Sequence, residues 1–260
     1  MPANLLAFDT STEALACALA TRDGRWHHNG PGGAQASMAL LPSVQRLLSE
    51  AGIDWQALDG IAFGRGPGAF TGLRTSCAVA QGLAFGLDVP VWPLDSLALV
   101  AEDARLQLAD TDTEADADAA EVHAAVAMDA RMGEVYAGAW HWQAGQGWQV
   151  VIEQGLFDPA GLAPLWARAW PTTAPGGGRR LLCGSALAVP ALVDRWPALP
   201  AGVDGFAHER DRARALLNLA LAAAKAGPGI AADAALPLYL RDKVAQTTAE
   251  RNAARAASQA

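Results

Sequence analysis

The first candidate for a chemical site is a cluster of one acidic and three hydroxyl side chains near the N-terminus. Asp9-Thr10-Ser11-Thr12 lie between two apolar segments that read as strands. Hydroxyls and turn amides are hydrogen-bond donors, so such a turn could cradle a phosphate or hold a metal-bound water. The alternative is a turn held by Asx-type and Ser/Thr-type side-chain bonds, which the segment by itself favours.

A glycine-rich loop follows a second apolar run. Gly64 to Arg74 reads GRGPGAFTGLR and leads into a predicted helix. A loop of this kind at a helix N-terminus can bind an anion. It is not a P-loop, because no Gly-Lys-Ser/Thr follows, and Ala69 stands where a GxGxxG pattern needs its third glycine. A tight backbone path that requires glycine explains the loop equally well.

Motifs for metal binding or nucleophilic catalysis are missing from the sequence. The five histidines are His27, His28, His123, His141 and His208. None forms HxxxH, HExxH or a Cys/His zinc spacing. No serine lies in a GxSxG frame. We therefore predict no catalytic and no metal-ligating residue, and a self-sufficient hydrolase is poorly supported.

Composition excludes several further classes of protein. The 260 residues are 52% hydrophobic and 18% charged, with a net charge of −8, which excludes a disordered chain. The acidic balance argues against a chain that grips nucleic acid by itself. The three cysteines are far apart and show no CxxC, which favours a reducing cytosol. Because no signal peptide and no apolar run of membrane-spanning length is evident, we expect a cytoplasmic protein without a membrane partner.

Predicted strands alternate with predicted helices, which indicates an α/β fold. Apolar residues over Ser37 to Ala51 repeat with a 3.6-residue period, so this segment is a predicted helix that Ser37 could cap and Gly52 could end. A second helix is predicted to begin at Thr71 as its cap and to run to about Phe85. Residues 110–121 contain six acids and no base, as expected of a solvated linker between two lobes.

Small residues recur every fourth position along the second helix, at Gly72, Ser76, Ala80 and Ala84. Such a row lets another helix approach closely. It could pack against the protein's own sheet or first helix, or it could form an interface with a partner chain. The composition by itself favours internal packing.

Four ordered motifs resemble one protein family. GPGAFTGLR (66–74), followed by AQGLAFGLDVPVWPLDSLALVA, resembles the TsaB (YeaZ) family of tRNA threonylcarbamoyladenosine biosynthesis proteins. LLAFDTSTEALACAL (5–19), DARMGEVYAG (129–138) and LPLYLRDKVAQTTAER (236–251) are similar to the first hairpin, the second-lobe hairpin and the C-terminal signature of that family. Together they cover nearly the whole chain.

The resemblance implies an actin/Hsp70-like (ASKHA) fold of two α/β lobes. An N-terminal lobe would cover residues 1–106, joined by a helix at about 209–227, and a second lobe would cover 107–208. Residues 241–260 would form a flexible tail.

The resemblance also implies a scaffold without chemistry of its own. It would pair with a TsaD-like paralogue, which carries a metal-binding HxxxH and transfers the threonylcarbamoyl group to a tRNA adenosine. Here the corresponding stretch, 91–96, reads VWPLDS and offers no ligand set. A TsaE-like ATPase would join the assembly, tRNA would be bound only through it, and the chain by itself could form a homodimer.

The family pairs through its first two helices. Carried over, the interface residues are Met38, Leu41, Val44, Gln45, Leu48, Gly72, Ser76, Ala80, Leu83 and Ala84. The small-residue row then becomes a groove for the partner. Relatives often open the first helix with a His-Ser-Glu-like stretch, where this chain has Ala36, Ser37 and Met38, so we expect Met38 to give an adaptable apolar contact.

Two other functions stay open at this point. Asp9, Thr10 and Ser11 match by position the first phosphate loop of ATP-binding relatives, so they are the candidate nucleotide-binding residues, for ATP or ADP at the complex. A stand-alone ASKHA-type ATPase, a small-molecule kinase or a glycoprotease-like hydrolase would use Asp9 and a metal-nucleotide. A homodimeric binding module would need no enzyme partner.

Overall fold

The first five strands of the chain form one mixed sheet. The computed structural model describes residues 2–111, 121–170 and 178–241. The strand order is β3-β2-β1-β4-β5, in which β1 is antiparallel to β2 and parallel to β4. The strands are β1 (Leu5–Asp9), β2 (Ala14–Ala20), β3 (Arg25–Pro31), β4 (Gly60–Gly66) and β5 (Val91–Asp95).

A second sheet repeats this topology. Its order, β10-β9-β6-β7-β8, again places an antiparallel three-stranded meander beside two parallel strands. The strands are β6 (Glu121–Asp129), β7 (Val135–Gln143), β8 (Gly147–Phe157), β9 (Arg179–Cys183) and β10 (Val203–Phe206). Two lobes with the same strand order confirm the expected α/β fold of the ASKHA type.

Helices cover both faces of each sheet. They are α1 (Ala36–Ala51), α2 (Phe70–Leu87), α3 (Ser96–Thr111), α4 (Ala163–Ala169), α5 (Pro190–Val193) and α6 (Arg212–Ala226). Helices α1 and α2 pack on one face of the first sheet, and α6 packs on the other. Helix α4 covers one face of the second sheet. Helix α3 contributes to the core of both lobes, because Leu99 packs with α6 while Leu97 and Val100 pack on the second sheet.

The predicted helix ends are partly right. Gly52 ends α1 in the left-handed region at φ 69°, as expected. The predicted caps at Ser37 and Thr71 are wrong. A short 3₁₀ turn over 33–35 leads directly into α1, and α2 begins at Phe70 after Ala69, so both hydroxyl residues lie inside the first helical turn.

Strand β10 and helix α4 were not predicted. Most of the predicted acidic linker (110–121) and, apart from Arg241, the predicted tail (241–260) lie outside the described residues. Within the described ranges, no helix has the length and hydropathy that a bilayer crossing requires.

Candidate functional site

Asp9 lies at the C-terminal end of β1, at the centre of the first lobe's sheet, and is fully buried. Its Oδ1 accepts hydrogen bonds from the Ser11 amide at 2.9 Å and the Ser11 hydroxyl at 2.8 Å. Its Oδ2 accepts one from the Ser96 hydroxyl at 2.7 Å. These contacts form an Asx-type turn, the alternative that the sequence segment by itself favoured.

A cation completes the surroundings of Asp9. Arg212, in the first turn of α6, donates to Asp9 Oδ1 from Nε at 3.2 Å and from Nη2 at 3.1 Å. Its Nη1 pairs with Glu209. Burial would by itself lower the pKa of Arg212, but the two carboxylates outweigh that effect and raise the pKa above its ordinary value. The guanidinium is therefore a permanent positive charge within the first lobe.

Sequence reasoning missed Arg212. It lies between Asp211, whose side chain caps α6, and Ala213-Arg214, so a second arginine nearby suggests an exposed first turn. The signal that could have found it is helical periodicity. Arg212 shares a face with Leu216 and Ala220, which are fully buried.

The glycine-rich loop packs tightly against the turn formed by residues 9–12. A Cβ on Gly64 would lie 1.5 Å from Asp9 Oδ2, and one on Gly72 would lie 1.8 Å from the Thr10 carbonyl oxygen. Two amides at the loop are already used, because Gly66 N donates to the Ser96 hydroxyl and Ala69 N to the Ser11 carbonyl. This geometry matches the backbone-path explanation of the loop.

A cavity of about 680 Å³ lies between the lobes. Ser11 to Ala14 and loop residues 67–70 line it from the first lobe, and the β6–β7 turn lines it from the second. Of the predicted nucleotide-binding residues, Ser11 lines the cavity. The Thr10 side chain is buried and bonds to Gly72 O and Ser76 Oγ, both at 2.7 Å. Nucleotide binding stays a prediction.

The chain's last described residues join the two lobes. Leu238 N donates to the Arg65 carbonyl at 2.7 Å in the first lobe. The Tyr239 ring packs against the Phe70 ring, with centroids 5.1 Å apart and the planes tilted by 36°. Arg241 pairs with Glu134 at 2.9 Å in the second lobe. This segment closes one side of the interlobe cavity.

The structure corrects the interpretation of the small-residue row as a groove for a partner. Gly72, Ser76, Ala80 and Ala84 are buried, with at most 1% exposure at the last three. Ser76 Oγ accepts from the Thr10 amide at 3.0 Å, and Ala80 and Ala84 belong to the core under the sheet. Val44 and Leu48 on α1 are also fully buried. These six residues pack inside the chain, because their helix faces cover the sheet.

A different face of the same two helices is exposed and is apolar except for Gln45. Met38, in the first turns of α1, is 74% exposed, and Phe85, in the last turn of α2, is 85% exposed. Ala78 and Gly82 lie on the same face of α2 as Phe85, two turns and one turn before it, and both are exposed; a Cβ on Gly82 would meet no atom within 4 Å. We call this surface the α1–α2 outer face; its members are Met38, Leu41, Gln45, Ala78, Gly82 and Phe85.

Three of the predicted interface residues therefore lie on the α1–α2 outer face. Met38, Leu41 and Gln45 are exposed there, and Leu83 is partly exposed. The sequence prediction missed Phe85, Ala78 and Gly82. Ala78 and Gly82 each lie two residues, about half a turn, beyond a member of the buried row, and Phe85 lies three residues after Gly82, so the opposite face of α2 contains all three.

Known proteins match the chain over most of its length. The family model described as "TsaD: tRNA N6-adenosine threonylcarbamoyltransferase" matches residues 31–163. The "tRNA threonylcarbamoyladenosine biosynthesis protein TsaB" of Escherichia coli is 30% identical, over 93% of this chain and 96% of that protein. The protein of the same name from Haemophilus influenzae is 40% identical, over 51% of each.

Solved structures agree. "YeaZ from Pseudomonas aeruginosa" superposes with a TM-score of 0.73 at 36% identity, covering 92% of this chain and all of that one. Identity at this level over nearly the full length, together with the duplicated strand order, shows that the chain belongs to the TsaB (YeaZ) family, whose members are tRNA threonylcarbamoyladenosine biosynthesis proteins.

Proposed function

We propose that this protein is a non-catalytic scaffold that pairs with a TsaD-type threonylcarbamoyltransferase and supports its modification of tRNA. The observation that carries the proposal is the α1–α2 outer face. Exposed methionine and phenylalanine side chains on one surface mark an interaction site, because the hydrophobic effect favours covering them. The exposed small residues Ala78 and Gly82, on the same face of α2 as Phe85, let another helix approach closely.

The buried ion pair supports a role without chemistry. A carboxylate that holds a metal-nucleotide needs free lone pairs, whereas Asp9 accepts five hydrogen bonds from within the chain. A phosphate arriving there would have to separate Asp9 from Arg212 and replace a buried ion pair, which is costly. The Asp9 position therefore supports the lobe rather than a reaction.

Reconstitution tests the proposal. The chain is mixed with threonylcarbamoyl-adenylate and with the TsaD-type enzyme, TsaE-type ATPase and tRNA of its own cell. We expect these components to meet in the cytoplasm. We expect modification to fall at least about tenfold when the chain is omitted. An unchanged rate would contradict the proposal. ATP turnover by the isolated chain that is lost on Asp9→Ala would support a stand-alone ATPase instead.

A further inference from the structure

Two histidines and a glutamate meet on one face of the second sheet, away from the α1–α2 outer face. His123 on β6 is the register partner of His141 on β7, so their side chains lie on the same side of the antiparallel pair. The imidazole rings are parallel within 2°, with centroids 4.3 Å apart. Glu121, two residues before His123, shares this face.

The Nε2 atoms of His123 and His141 are buried and have no hydrogen-bond partner among the described residues. The His123 side chain is only 9% exposed. Buried polar atoms are nearly always satisfied, so two such atoms side by side call for a ligand.

Glu121 supplies the third ligand atom. Its Oε2 lies 3.9 Å from His123 Nε2 and 3.8 Å from His141 Nε2, too far for hydrogen bonds. Ligands of a tetrahedral zinc ion, each about 2.0–2.1 Å from the metal, lie about 3.3 Å apart. One donor atom from each of the three residues lies within 4.8 Å of the others. A modest splaying of the stacked rings would bring the three donors onto one ion.

From this geometry we propose that Glu121, His123 and His141 form a binding site for a divalent transition-metal ion, represented by Zn²⁺. Two imidazoles and one carboxylate suit zinc and its neighbours rather than calcium or magnesium, which prefer oxygen ligands. Three protein ligands leave a fourth position for water. The proposal does not depend on the proposed scaffold function.

Neighbouring residues hold the ligands in place. Gln143 Nε2 donates to Glu121 Oε1 at 2.8 Å, which leaves Oε2 for the ion. Trp170 Nε1 donates to the His123 carbonyl at 3.2 Å. Arg180 on β9 is the register partner of His123, and its positive charge disfavours a cation bound nearby. Its Nη2 is engaged elsewhere, because it donates to the Ala201 carbonyl at 3.0 Å.

Zinc titration of the full chain tests the site. After chelator treatment and dialysis, we expect calorimetry to show one Zn²⁺ per chain with a Kd of about 10 µM or tighter. Glu121→Gln should weaken binding about tenfold or more, and His141→Gln should weaken it further. His27→Gln is the control, because His27 lies in the first lobe beside Asp211. The ring-nitrogen resonances of His123 and His141 should shift on zinc addition in the wild type.

Two results would overturn the proposal. One is the absence of saturable Zn²⁺ binding below about 100 µM. The other is stoichiometric binding that neither substitution weakens and that leaves both ring resonances in place. If His141→Gln lowers the Tm of the metal-free protein, Glu121→Gln decides, since Glu121 is 30% exposed and glutamine retains an oxygen for Gln143.

Discussion

Arg212 and Asp9, 203 positions apart in the chain, form a buried ion pair in which the guanidinium donates to one carboxylate oxygen through two nitrogens. Their side chains are 2% and 0% exposed. The pair ties the start of α6 to the end of β1. By resemblance, it lies where an ATP-binding relative would contact phosphate. In the proposed scaffold, these two side chains therefore stabilise the lobe instead of taking part in a reaction.

Arg212→Met should lower the free energy of unfolding by about 3–5 kcal/mol, because it leaves the Asp9 carboxylate buried without its cation. Asp9→Asn/Arg212→Met should lose less than the sum of the single changes, since the buried Asp9 charge is then gone and only Glu209 loses its cation. Urea denaturation of the four proteins measures both effects. A loss below about 1 kcal/mol for Arg212→Met would show that the pair does not stabilise the fold.

Substitution by arginine should change stability in opposite directions at two positions of α2 that lie about half a helical turn apart. Ala80→Arg should cost more than about 4 kcal/mol, because it forces a charge into the core under the sheet. Gly82→Arg should stabilise the chain by about 0.5–1 kcal/mol, since its side chain enters open space and arginine is the better helix former. Circular dichroism during thermal unfolding distinguishes the two. A folded Ala80→Arg protein with an unchanged Tm would mean that the row is not internal.

Gly72→Ala should destabilise the protein by about 1–3 kcal/mol or more, because its Cβ would lie 1.8 Å from the Thr10 carbonyl oxygen. The matched control is Gly86→Ala on the same helix, where a Cβ meets nothing within 4 Å and alanine should be slightly stabilising. Chemical denaturation of both variants gives the comparison. Equal stabilities would rule out the close approach of α2 to the turn at Asp9.

The cysteine thiols should be unreactive in the folded protein. Burial raises the pKa of Cys17 from 9.0 to about 12, and burial also raises those of Cys77 and Cys183. At pH 8 the folded thiols stay protonated, and a disulfide reagent should label them only after unfolding in urea. Because the pKa of Cys17 is higher in the folded than in the unfolded chain, its protonated thiol stabilises the folded state. This stabilisation is complete below pH 9 and is lost as the pH rises toward 12. Rapid labelling of native protein at pH 8 would contradict this.

The α/β fold was predictable from the residues, because apolar runs and helical periods mark β1, β2, α1 and α6 in the sequence. The division into two lobes was an expectation from the family resemblance and from the acidic stretch at 110–121. Which helix face would be covered was not predictable. The row at Gly72 and Ala80 and the exposed face at Gly82 both contain small residues, so residue type by itself does not say which face the sheet covers. The starts of α1 and α2 were also missed, since α1 continues directly from the 3₁₀ turn over 33–35 and α2 begins at Phe70, one residue before the predicted cap.

The histidine pair shows a second limit. His123 and His141 are cross-strand partners in the β6–β7 hairpin, whose register closes with Asp129 opposite Val135. Each lies six residues from that closing pair, His123 before Asp129 and His141 after Val135. Motif spacings along the chain do not include cross-strand partners, and so the search for HxxxH missed it.

The pairing claim is tested most directly by sedimentation velocity of the chain mixed with the TsaD-type enzyme of its own cell. The wild-type chain should form a heterodimer, Gly82→Arg should weaken it about a hundredfold or more while staying folded, and Leu199→Arg, at an exposed apolar residue of the second lobe, should pair like the wild type. A Gly82→Arg protein that pairs as tightly as the wild type would contradict the α1–α2 outer face as the docking surface.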